Sequence, residues 1–92
     1  MPENGTALTS IEELRAQIDE IDEQLVDLLN KRAEKSLAIR ALKPQAHMGL
    51  FDPKREEEIF DKVCALNGGP LYSDELRAIY ATVLRVSKEM RG

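Results

Sequence analysis

The sequence is poor in the residues that mark several common functions. Its single cysteine, Cys64, excludes an internal disulfide and fits a reducing compartment. Tryptophan is absent and aromatics make up 4% of the chain, so stacking platforms for bases or sugars are missing. A net charge of −4 and a pI near 5.0 leave no basic face for non-specific nucleic-acid binding. No apolar run approaches the ~18 residues of a membrane span, and the polar opening MPENGTALT does not read as a signal peptide. A cytoplasmic protein that engages neither nucleic acid nor membrane is the expectation. A Gly-rich phosphate loop, a Ser-His-Asp pattern and a paired-carboxylate motif are also missing. The one histidine, His47, has no Cys or carboxylate neighbours at ligand spacing, so neither a metal nor another cofactor is expected.

What the chain does have is one long helical stretch, from Ser10 to Lys43, without Gly or Pro. Ser10 with Glu13 suits a capping box at its start, and Pro44 ends it. Ile11, Leu14, Ile18, Ile21, Leu25 and Leu28 follow at 3,4,3,4,3 spacing, a single apolar stripe. Residues 1–9 carry turn formers and little to bury, which suggests a flexible lead before a helical domain over 10–92. Asp52-Pro53 opens a second, short helix that runs to Asn67-Gly68-Gly69-Pro70, with Cys64 on its apolar face. Ser73 is placed to cap a third, medium helix that carries Leu76, Ile79, Tyr80, Val83, Leu84 and Ser87 on one side. The expected fold is all-α, with three helices. A first helix of about 50 Å exceeds the width of a globule of this mass, so a second copy of the chain is the simplest cover for its stripe.

The stripe carries one conspicuous departure. Its next position is Arg32, where a leucine would fit, and after Ile39 it meets Lys43. A cation in an apolar seam is costly unless an anion satisfies it, although either stem could pack while its head reaches water. Arg32 and Lys43 lie 11 residues apart, about three turns and roughly 16 Å, so both point the same way and could grip a small dianion. Arg15 is about 25 Å from Arg32 along the axis and cannot reach the same ligand within one chain. It could serve a partner's site if two long helices pair antiparallel, or simply sit on the surface. Asp52, Arg55 and Glu56 cluster in the first turn of the second helix, where capping and the helix dipole already account for the two acids. Glu56 could alternatively accept a hydrogen bond from a substrate hydroxyl. Ser87 and Arg91, one turn apart on the third helix, could face the same pocket or form an exposed helix end.

Read as a whole, the run ELRAQIDEIDEQLVDLLNKRAEKSLAIRALK followed by FDPKREEEIFDKV resembles the all-helical chorismate mutases. NGGPL and LRAIYATVLRVSKEM are similar to the family's final turn and third helix, so the resemblance covers roughly Ile11 to Arg91. Its most specific parts are the LRxxIDxIDxxLxxLLxxR helix and the DPxRE junction. The resemblance implies an intertwined homodimer that converts chorismate to prephenate by a Claisen rearrangement in phenylalanine and tyrosine biosynthesis. By matching positions, it implies that Arg32 binds the enolpyruvyl carboxylate and that Arg15 of the other chain clamps the second carboxylate. Lys43 would bond the ether oxygen, Glu56 the ring hydroxyl, and Asp52 and Arg55 would line that end, with Ser87 near the carboxylates. One position departs from the family: Arg91 stands where Gln or Glu is usual as a donor to the ether oxygen.

Two other functions fit parts of the same pattern. An isochorismate pyruvate-lyase would use the same carboxylate clamps, although the Arg55-Glu56 pair suits the 4-hydroxyl of chorismate better. A non-catalytic helical dimerisation or regulatory module would tolerate Arg32→Ala, since an unpaired buried charge would be gone. The GPL turn and an end just past Ser87 suit a domain excised from a longer enzyme.

Overall fold

The computed structural model describes residues 3–45, 49 and 52–91, with side chains from residue 5 onward. Three α-helices follow in order: α1 (Glu3–Leu42), α2 (Pro53–Leu66) and α3 (Ser73–Glu89), with no strand among the described residues. The chain divides into two units, Met1–Lys35 and Ser36–Gly92.

The first unit is the greater part of α1. The helix begins at Glu3, not at Ser10, so Ser10 lies inside it and does not cap it. Nothing between Gly5 and Ser10 breaks a helix: a lone glycine costs only about 1 kcal/mol, and the Thr9 hydroxyl donates back to the Gly5 carbonyl at 2.9 Å. Over residues 3–35 this helix runs about 50 Å. It has no cover within its own unit. Ile11, Leu14, Ile18, Ile21, Leu25 and Leu28 are between 42% and 58% exposed, and Val26 and Leu29 widen the stripe. Lys31 and Asp27 pair at 2.9 Å across one turn, both well exposed.

The second unit holds the tail of α1, the turn at Lys43–Gln45, α2 and α3. Helix α1 stops at Leu42, and the Lys43 amide closes the last turn on the Ile39 carbonyl at 2.9 Å. The opening of α2 is as the sequence indicates: Asp52 is the N-cap, Pro53 the first helical residue, and the Arg55 amide donates to Asp52 Oδ1 at 3.0 Å. Its end is also local. Asn67 is the C-cap, its side chain donates to the Leu71 carbonyl at 2.7 Å and accepts from the Gly69 amide at 3.0 Å. Gly69 has φ +79°, a conformation glycine adopts without penalty. Helix α3 starts one residue before the expected cap would allow. Ser73 is its first helical residue, Tyr72 takes the N-cap position, and the Tyr72 amide donates to Glu75 Oε1 at 2.8 Å. Glu75 satisfies the free amide from inside the helix, so no hydroxyl cap is needed.

Contacts between α2 and α3 make them an antiparallel hairpin. Cys64 Sγ meets the Ser73 carbonyl at 3.8 Å near the turn, the Arg77 guanidinium stacks 4.4 Å over the Phe60 ring, and Lys88 pairs with Glu56 at the open end. Leu84 is buried at 6% exposure, the one described hydrophobic side chain that is. A domain of this size normally hides a larger core.

Candidate active site

The predicted site residues divide between the two units. Arg15 and Arg32 lie on α1 in the first, Arg15 exposed and Arg32 partly buried. The continuous helix keeps them about 25 Å apart along its axis, so they do not converge within one chain. The other six belong to the second unit.

Lys43 is partly buried in the turn that ends α1. Asp52, Arg55 and Glu56 occupy the N-cap and first turn of α2, as their capping chemistry requires. Arg55 uses its amide on Asp52 and turns its guanidinium toward Glu58 at 3.7 Å, on an exposed surface. Glu56 is different: its side chain is 26% exposed and its Oε2 lies 3.0 Å from Lys88 Nζ. Ser87 is partly buried, with Oγ donating to the Val83 carbonyl at 2.9 Å. Arg91 follows the end of α3 and is exposed. The antiparallel hairpin thus brings the first turn of α2 beside the last turn of α3, and Glu56 meets the segment that carries Ser87 and Arg91.

Two members of this cluster escaped the sequence reading. Lys88 looks like an ordinary basic residue in a last helical turn, and only the hairpin reveals its pairing with Glu56. Arg40 likewise reads as a cation suited to the end of α1. In the structure its guanidinium donates to the carbonyls of Met90 at 2.8 Å, Ser87 at 2.9 Å and Lys88 at 3.4 Å. No local pattern signals a contact between residues so distant in sequence.

The chemistry on offer is charge and hydrogen bonding. Arg and Lys side chains suit carboxylates, and a partly buried carboxylate suits a hydroxyl. Among the described residues no group of three His, Cys, Asp or Glu could hold a metal ion, and His47 lies outside the described residues. No described helix is long and apolar enough to cross a membrane.

Comparison with known proteins gives this cluster a context. Residues 14–91 match the family described as chorismate mutase type II. The chain is 37% identical over 81 residues to a bifunctional chorismate mutase/prephenate dehydratase of Aquifex aeolicus, an alignment that takes in 84% of the chain and 22% of that protein. A Stutzerimonas stutzeri protein of the same name is 30% identical over 76 residues, covering 77% of the chain and 21% of its own length. The chain therefore spans about a fifth of the length of these relatives. Among solved structures, a chorismate mutase from Thermus thermophilus superposes with a TM-score of 0.85 at 27% identity, covering 88% of this chain and 92% of that one. The chorismate mutase of Helicobacter pylori in complex with prephenate gives a TM-score of 0.80 at 34% identity, covering 88% of both chains.

Proposed function

The chain belongs to the type II chorismate mutase family, and from that premise we propose that it rearranges chorismate to prephenate in the biosynthesis of phenylalanine and tyrosine. The observation that carries the proposal is the family match across residues 14–91, which includes every candidate site residue. Glu56 adds to it: a partly buried carboxylate at the mouth of the α2–α3 hairpin suits a substrate hydroxyl. The free thiol of Cys64 is in keeping with a cytoplasmic location.

The chemistry needs no nucleophile. A flexible dianion must be held in a compact, diaxial shape, and a cation must stand where negative charge grows on the breaking C–O bond. In this reading Arg32 binds the enolpyruvyl carboxylate, and the partner's Arg15 clamps the ring carboxylate, each as a bidentate fork. Lys43 supplies a point charge to the ether oxygen. Glu56 accepts from the ring hydroxyl, with Asp52 and Arg55 lining that end, and Ser87 lies near the carboxylates. Arg91 replaces the amide or carboxyl usual in the family, and its guanidinium can donate to the ether oxygen in the same way.

The second copy is part of the proposal. The exposed stripe on the first unit supports it, because about half of each large apolar side chain there remains open to water. The test follows the loss of chorismate's ultraviolet absorbance. Unmodified protein should remove that signal well above the uncatalysed rate, and Lys43→Ala should lower kcat by about 10²–10³, the usual cost of losing a donor aimed at developing charge. Absorbance falling at the uncatalysed rate with unmodified protein would sink the assignment, and pyruvate release from isochorismate instead would identify a lyase.

A further inference from the structure

We infer that Arg40 is a positioning residue for substrate binding: its guanidinium clasps the last turn of α3 and so holds Ser87 and the Lys88–Glu56 pair in place. The inference rests on the mutase reading of Glu56 and Ser87.

The last carbonyls of a helix have no donors within the helix, and a cap usually closes them. Helix α3 has no glycine cap. The chain leaves it at Met90 with φ −56° and ψ 138°, and Arg91 follows. Arg40, from the tail of α1, supplies the missing donors. One nitrogen donates to the Met90 carbonyl at 2.8 Å, the other to those of Ser87 at 2.9 Å and Lys88 at 3.4 Å. Only a planar fork can reach three carbonyls of one turn at once, and its positive charge opposes the negative end of the helix dipole.

The consequence reaches Glu56 through a single residue. Lys88 is held by its backbone carbonyl to Arg40, while its Nζ lies 3.0 Å from Glu56 Oε2. Ser87, its neighbour, is held in the same way and orients Oγ on Val83. One guanidinium therefore ties the tail of α1 and the end of α3 to the start of α2. Helix ends fray where nothing holds them, so losing Arg40 should loosen Ser87 and Lys88 together. In the mutase reading Ser87 lies near the carboxylates, and Lys88 acts only through Glu56, which holds the ring hydroxyl. These contacts are made before and during reaction, and weakening them raises KM more than it lowers kcat.

The experiment compares Arg40→Met, which keeps an apolar stem, and Arg40→Lys, which keeps one charged donor. Steady-state kinetics with chorismate run beside hydrogen exchange of the α3 amides. Arg40→Met should raise KM about tenfold, the scale of one charge-assisted hydrogen bond, with kcat changed less than about threefold. Exchange over residues 87–90 should quicken at least about tenfold while that of residues 76–84 stays unchanged, and Arg40→Lys should fall between the two. A KM within twofold of the unmodified protein, or a loss confined to kcat in proportion to the folded fraction, overturns the role of Arg40. Should Arg40→Met fail to fold, Arg40→Lys decides alone: KM and last-turn exchange both unchanged refute the clasp. Unmodified protein without turnover would instead overturn the mutase reading and this role with it, whereas unmodified turnover with an unaffected KM in the variants overturns the Arg40 inference alone.

Discussion

Glu56 is the side chain on which structure and chemistry bear most directly. Its pairing with Lys88 at 3.0 Å does not use up its capacity, because a carboxylate offers about four lone-pair sites. It can hold Lys88 and still accept from a hydroxyl. As a contribution to folding the pair is minor, since Lys88 is 42% exposed and partly solvated pairs are worth about 0–1 kcal/mol. In the proposed function its value for binding would be larger: a hydrogen bond to a charged group contributes about 1.5–3 kcal/mol, or roughly 10- to 100-fold. Glu56→Ala should therefore lower kcat/KM by about 10- to 100-fold while the midpoint of urea unfolding moves by less than ~1 kcal/mol equivalent. A large loss of stability with kcat/KM preserved would assign Glu56 to the fold alone. The exposed Lys31–Asp27 pair gives the contrast. Pairs of this kind contribute about 0.3–0.5 kcal/mol, and Lys31→Ala should leave stability within that margin.

At the scale of elements, the turn between α2 and α3 decides where Glu56 and Lys88 meet, because it sets the antiparallel hairpin. Gly69 at φ +79° has open space around it, so a side chain there would meet no neighbour and only the backbone would be strained. Left-handed backbone costs a non-glycine residue about 1–2 kcal/mol, which for a domain of this size lowers Tm by roughly 4–8 °C per kcal/mol. Gly68, equally open but without a positive φ, should accept alanine with little change or a slight gain. Calorimetry of Gly69→Ala and Gly68→Ala side by side tests this, and equal Tm values would refute it. This turn was legible in the sequence, as was the Asp52-Pro53 start of α2, because their signals lie within a few residues of one another. The start of α1 at Glu3 was not: Ser10 and Glu13 have capping chemistry, but without a breaker upstream the helix passes through them. Ser73 missed the cap by one residue because Glu75 offered the Tyr72 amide a partner from further along the chain. Arg40 and Lys88 were illegible for another reason. Their partners are set by how the tail of α1, α2 and α3 pack, and nothing in local spacing encodes that.

For the whole molecule the governing fact is the exposed apolar stripe along α1. The stripe from Ile11 to Leu28 keeps its large side chains 42% to 58% exposed, and full burial of such a side chain is worth about 1.5–3 kcal/mol. Covering the remaining half of each would contribute roughly 1 kcal/mol per residue, several kcal/mol in all. A helix without tertiary packing is marginal in water, so this unit has reason to pair with a second copy. Symmetry then makes a quantitative demand on function. If each site takes Arg32 from one chain and Arg15 from the other, a dimer of one Arg15→Ala chain and one Arg32→Ala chain keeps one intact site and loses both arginines from the other. Each variant alone should be nearly inactive. Unfolding the two together and refolding the equal mixture makes half the dimers mixed, so about a quarter of all sites should work again, by the statistics of two-fold pairing. Activity near zero in the mixture, with dimers confirmed by sedimentation, would place both arginines' work within one chain. The ~25 Å between them on a single helix keeps both from touching so small a substrate, so one of the two would then act on the fold of its own chain and not on the substrate.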